Sequence, residues 1–131
     1  MSILRTPVPS HLRIQHTHDL FGVNFSLSLE PLVYTFAENL SRDYNGGVWK
    51  FYSLSNGGFY MATDSESPFN VSCENGYSGS LSADALGIAT CLYAYSHLSF
   101  TEEIFIDHYH WLRGYFMLDH PEATSILKAI D

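Results

Sequence analysis

The stretch from Val48 to Ala62 constrains the fold of this chain more than any other part of it. Val48-Trp49-Lys50-Phe51-Tyr52 is aromatic and β-branched, the composition of a strand that must fit a pleated, half-buried surface. Ser55-Asn56-Gly57-Gly58 follows, and Asn-Gly readily takes the positive φ that a tight hairpin turn requires. Phe59-Tyr60-Met61-Ala62 then returns. Alternation sends Trp49 and Phe51 to one face and Tyr52 to the other. One face is expected to pack on helices. The other is a tyrosine-rich solvent face, and Tyr52 and Tyr60 are its candidate partner contacts, since tyrosine anchors protein interfaces. After the polar segment 63–68, Phe69-Asn70-Val71-Ser72-Cys73 alternates as a third strand, with turn signals at Asn75-Gly76 and Gly79. The expected sheet is an antiparallel meander of three to four strands.

Helical signals surround the hairpin. Glu30-Pro31 opens a helix, because proline suits the first helical position and an acid suits the positive end of the dipole. Leu32, Val33, Phe36, Ala37, Leu40 and Tyr44 share one face, and Asn45-Gly46-Gly47 is the expected stop. Ser82 reads as an N-cap with Asp84 in the first turn. Gly87 lies inside this helix, where it weakens the helix unless close packing demands it. Ser99 and Glu102 have capping-box spacing for a further helix, which His120-Pro121-Glu122 ends before a last short one. Residues 1–29 are less regular: Pro7 and Pro9 break an early helix. Val23, Phe25, Leu27 and Leu29 alternate with polar residues as a strand would, with an extended lead into the helix as the competing reading. The fold class is therefore α+β, a small antiparallel sheet packed with about four helices. With 131 residues the chain makes a single domain, 1–131, in which 1–20 reads as an irregular arm.

Charge narrows the function. Six Lys and Arg stand against 14 Asp and Glu, a net charge of −8. No Lys or Arg occurs between Lys50 and Arg113, a stretch that holds Asp64, Glu66, Glu74, Asp84, Glu102, Glu103 and Asp107. Binding of duplex DNA by counterion release needs the opposite balance, so no direct DNA binding is expected. Extensive DNA mimicry is also disfavoured: one turn of B-DNA carries roughly 20 phosphate charges, more than all 14 acids here. A local acidic contact remains, with Asp64, Glu66, Asp84 and Asp131 as candidates. No stretch reaches the length of a membrane-spanning helix and no secretory leader is evident, so the expectation is a cytoplasmic protein. Cys73 and Cys91 are expected as two buried or half-buried thiols in a reducing compartment rather than as a disulfide scaffold.

Catalytic signatures are weak. His16 and His18 would share a face only in a strand, and Asp107 with His110 lacks the further ligands of a carboxylate-bridged metal site. Gly76-Tyr77-Ser78-Gly79-Ser80 precedes a polar turn and is not a nucleophile elbow. Cys91 lies mid-helix, and Asn56-Gly57-Gly58 has no following lysine to make a phosphate loop. We assign no catalytic residue, cofactor or metal. A general protein-interaction module and a metal-dependent enzyme stay open as alternatives.

Three segments resemble a known family. Asp43 to Tyr52 followed by Leu54 to Met61, then Ser82-Ala83-Asp84-Ala85-Leu86-Gly87-Ile88, then His120-Pro121-Glu122-Ala123 with Ala129-Ile130-Asp131, are similar in kind and order to the motifs of the ArdB/KlcA antirestriction proteins. The resemblance covers about residues 30–131. It implies a compact α+β domain without a cofactor that relieves type I restriction–modification of incoming unmodified DNA, in bacteria, for genes carried on plasmids, phages or genomic islands. The partner implied is a type I restriction–modification enzyme or an associated host protein. A monomer or weak dimer is the expected state of this chain.

Overall fold

The computed structural model describes residues 2–131. Strand β1 (Arg5–Pro7), helix α1 (Arg13–Phe21) and helix α2 (Glu30–Leu40) precede the hairpin of β2 (Trp49–Leu54) and β3 (Phe59–Thr63). A second hairpin, β4 (Phe69–Ser72) and β5 (Ser78–Leu81), leads into α3 (Ala83–Leu98), α4 (Ile104–Asp119) and α5 (Ala123–Ile130). The α+β class holds, with the strands divided between two antiparallel sheets, β1-β2-β3 and β4-β5.

The aromatic hairpin forms as its sequence demands. Tyr52 faces Tyr60 and Phe51 faces Met61 across the ladder, and Gly57 takes φ +101° in the turn. The Asn56 side chain secures that turn, accepting from Gly58 N–H at 3.0 Å and donating to the Trp111 carbonyl at 2.8 Å.

The meander stops at β3 because a helix occupies the strand's outer edge. The Tyr95 hydroxyl donates to the Phe59 carbonyl at 2.6 Å. The Cys91 sulfur lies 3.5 Å from Met61 N, from which it accepts, and 3.7 Å from the Met61 carbonyl. An open edge is thereby closed by side chains rather than by a fourth strand. Gly87 permits the approach: a Cβ there would lie 2.4 Å from the Met61 carbonyl oxygen and 2.5 Å from the Ala62 Cβ. Helix α3 is consequently buried nearly all round, from Ala83 to Tyr95, and is the centre of the core. Both cysteines are buried and unpaired.

Four expectations are corrected. First, residues 23–29 are not a strand. Phe25–Leu29 form a π-helical turn that runs directly into α2. Of the alternating apolar set only Phe25 and Leu29 are buried, while Val23 and Leu27 are exposed, so the side chains follow the i, i+4 spacing of a helix. Second, the N-terminal arm is ordered: β1 pairs with β2, Thr6 facing Ser53, and α1 buries Thr17 and Phe21. Third, α2 ends at Leu40, before Tyr44. Ser41 is extended, and its hydroxyl donates to the Asn70 carbonyl at 2.7 Å and accepts from Asp43 N at 3.3 Å, a local bond that competes with helix continuation. The expected capping box is also absent: Ser99 Oγ donates to Ser96 O, and α4 begins without a side-chain cap.

Candidate functional site

Asp84 is the first-turn acid of α3, whose N-cap Ser82 accepts from Ala85 N at 3.1 Å. An acid here is favoured by the helix dipole, but Asp84 does more. Its Oδ1 accepts from Arg5 at 2.8 Å and from the Tyr60 hydroxyl at 2.8 Å. Its Oδ2 lies 2.8 Å from His120 Nε2. Arg5 also donates to the Tyr60 hydroxyl at 2.9 Å and lies over the Tyr52 ring, 4.4 Å from its centroid. The Tyr52 and Tyr60 rings stack at 5.0 Å, and Tyr115 stacks on Tyr60 at 5.9 Å.

The histidine tautomer follows from its partners. Glu122 N–H donates to His120 Nδ1 at 3.0 Å, so the ring proton belongs on Nε2, where it is given to Asp84. The Glu122 carboxylate turns back to α3, accepting from Ser82 N at 3.0 Å and from the Ser82 hydroxyl. Residues far apart in the chain are thus tied at one point: β1 through Arg5, the hairpin through Tyr60, the start of α3 through Ser82 and Asp84, and the α4–α5 junction through His120 and Glu122.

Electrostatics follow the geometry. Burial alone would push the Asp84 carboxyl up, but the hydrogen bonds from His120 and Tyr60 and the charge of Arg5 outweigh it and hold the group below its ordinary range. Burial and the Asp84 charge push the Tyr60 phenol well up, so it stays a donor. Burial opposes the Arg5 charge, yet the bond to Tyr60 and the neighbouring Asp84 keep it protonated. Arg5, Ser82, Asp84, Tyr115, His120, Pro121 and Glu122 line an open concavity of about 380 Å³. Both nitrogens of His120 are engaged and Ser82 is committed to Glu122 and the helix cap. The cluster presents a fixed arrangement of charges whose polar atoms are paired with one another.

Of the residues expected from the sequence, Asp84, Tyr52 and Tyr60 are brought together here, whereas Asp64, Glu66 and Asp131 are not. Tyr60 has no exposure and is a hydrogen-bond hub rather than a partner contact. Asp64 pairs with Lys50 at 3.2 Å and Asp131 with Arg113 at 3.9 Å, so both carboxylates have a local counter-charge. Glu66 is exposed. Arg5, Tyr115 and His120 were missed. In the sequence His120 and Glu122 read as a helix boundary and as part of the third family motif, and neither reading assigns them a bonding role; two polar groups around Pro121 between apolar helices are the signal available. Among the described residues no group of three or more His, Cys, Asp or Glu is placed to hold a metal ion, and no helix is long and apolar enough to cross a membrane.

Comparison with known proteins places this geometry in context. A family model described as antirestriction protein matches residues 42–131. The uncharacterized protein YafX of Escherichia coli K12 is 42% identical over 134 residues, covering 96% of this chain and 86% of its own length. The antirestriction protein KlcA of Escherichia coli is 40% identical over 126 residues, covering 91% of this chain and 88% of KlcA. A solved structure superposes with a TM-score of 0.91 at 37% identity, over 100% of this chain and 96% of that one. It comes from work on the KlcA and ArdB proteins that describes a novel fold and antirestriction activity against type I DNA restriction systems in vivo but not in vitro. The second and third sequence motifs, separated along the chain, meet through Ser82–Glu122 and Asp84–His120. The chain belongs to the ArdB/KlcA family of antirestriction proteins.

Proposed function

We propose that this protein relieves type I restriction of incoming unmodified DNA in the bacterial cytoplasm, by contact with protein and without catalysis. The observation that carries the reading is the agreement of fold and sequence with the KlcA/ArdB structure over the whole chain. Two features of the chain itself support the mode of action. The net charge of −8 and the base-free stretch from Phe51 to Leu112 oppose duplex binding. The best-formed polar cluster, around Asp84, is satisfied within the protein and holds the fold together. Activity in vivo but not in vitro is described for KlcA and ArdB. For this chain it favours a partner present in the cell, either the restriction enzyme in its cellular state or a host protein associated with it. The protein acts as a monomer or weak dimer. Exposed Asp64, Glu66 and Asp131 and half-buried Tyr52 are the remaining surface contacts expected from the sequence.

The test is the plating efficiency of unmodified phage on a host with a type I system, with and without expression. A rise of tenfold or more is expected. Unchanged plating, with folded protein present in the cells, would refute the reading.

A further inference from the structure

The corner between α3 and α4 carries an apolar site that the fold itself does not use. Phe100 is 89% exposed and Ile106 is 42% exposed. Beside them Ser96, Ser99, Ile106, Tyr109 and His110 line an open groove of about 320 Å³. Single exposed apolar side chains need no explanation, but a large ring held out next to an apolar groove does.

Phe100 is not on a slack loop. Thr101 N and Glu102 N both donate to the Leu98 carbonyl, at 3.0 and 3.1 Å, and Ser99 N donates to the Tyr95 carbonyl at 2.9 Å. The Ser99 and Thr101 hydroxyls donate to the Ser96 and Leu98 carbonyls at 2.7 and 3.0 Å. These bonds hold the backbone on both sides of Phe100, so the ring is presented from a hydrogen-bonded turn rather than a loose loop, which lowers the backbone ordering cost of binding.

Charge identifies the occupant. Glu102, Glu103 and Asp107 border the corner; all three are exposed, and none forms an ion pair among the described residues. No Lys or Arg lies between Phe51 and Leu112 to neutralise them. The groove over α1 and α2 is larger, but Arg13, His18 and Glu30 give it mixed charge and nothing there selects a partner.

We propose that the α3–α4 corner is a docking surface for a basic amphipathic helix of a partner protein. Phe100 packs against the helix's apolar stripe, which seats a side chain in the groove, and flanking Lys or Arg residues meet Glu102, Glu103 and Asp107. This deepens the protein-contact reading above and rests on it for the partner's place in restriction.

The test uses the full chain and a fluorescein-labelled helical peptide with Leu at i, i+3, i+4 and i+7 and Lys elsewhere. Anisotropy is read at 150 mM salt and pH 7.5, alongside the melting temperature of each variant. Micromolar binding is expected for the wild type. F100A and the triple variant E102Q/E103Q/D107N should each weaken it at least tenfold. The matched triple D19N/E38Q/E74Q, which removes three exposed carboxylates elsewhere, should change it less than threefold. Absence of binding, equal loss in both triple variants, or an unchanged F100A would overturn the proposal. So would Phe100-dependent dimerisation in sedimentation without peptide binding, which would make the corner a self-contact. Because the readout contains no restriction enzyme, a negative result here leaves the phage-plating result to stand or fall separately.

Discussion

His120 and Asp84 are joined by a 2.8 Å bond in which the imidazole is the donor, because Glu122 N–H already occupies the other ring nitrogen. The His120 side chain is almost fully buried and that of Asp84 is 26% exposed. This pair, with Arg5 and Tyr60, connects four elements that have little else in common along the chain. Its satisfied geometry marks it as a clamp.

Asp84→Asn keeps the shape and removes the charge that Arg5, Tyr60 and His120 all address. Hydrogen bonds to charged groups contribute about 1.5–3 kcal/mol each where buried. Partial exposure of Asp84 and Arg5 discounts that, and a net loss of about 2 kcal/mol is expected in urea denaturation. Combining it with His120→Asn should cost less than the two single losses added, because both disrupt one network. Strict additivity would show that the two residues act independently.

The outer edge of β3 makes a second prediction. Cys91→Val fits the space but leaves Met61 N–H without its acceptor, and an unsatisfied buried donor costs about 1–3 kcal/mol. Cys91→Ser, which restores an acceptor, should lose less. Gly87→Ala should be more damaging than either, because the added Cβ meets backbone at 2.4 Å and overpacking of this kind costs about 1–3 kcal/mol or more. Thermal melting of the three variants ranks them directly.

A third prediction concerns acid. His108 has no exposure and is packed against Phe21, Tyr95 and Trp111 with neither ring nitrogen hydrogen-bonded. Burial lowers its pKa from 6.5 to about 4. The unfolded chain therefore binds this proton more readily. Stability from the neutral ring is complete above pH 6.5 and is lost as pH falls toward 4, by an amount on the order of 3 kcal/mol. His108→Phe should flatten that part of the pH–stability curve. A slope that persists in the variant would assign the effect to other groups.

Much of this was legible in the chain. The Asn56-Gly57 turn, the alternation of Trp49 and Phe51, the Ser82 cap and the tight packing at Gly87 all rest on local chemistry or on the absence of a side chain. What was not legible depended on contacts between distant segments. The edge of β3 is closed by Cys91 and Tyr95, which as sequence are only core helix residues. Arg5 sits in a stretch without periodicity, so its bond to Asp84 has no local signature. Phe25 and Leu29 satisfy a period of two and a spacing of four equally well, and only packing decides between them. Asp84 reads in sequence as a helix-start acid and a candidate acidic contact, but the clamp it forms needs His120, whose motif at a helix boundary carries no local sign of a bond to Asp84.

Electrophoretic mobility shift offers a fourth test, with duplex DNA at 150 mM salt. A protein of net charge −8 should give no shift at micromolar concentration. Sub-micromolar binding by the purified chain would contradict the protein-contact reading at its root.

The most direct measurement is plating of unmodified phage on a type I restricting host that expresses the wild type, Asp84→Asn or Phe100→Ala, with the amount of folded protein matched by blotting of the soluble fraction. The account predicts at least tenfold relief by the wild type, relief by Asp84→Asn in proportion to its folded amount, and loss with Phe100→Ala at normal stability. No relief by the wild type, or full relief by Phe100→Ala with complete loss in well-folded Asp84→Asn, would contradict it.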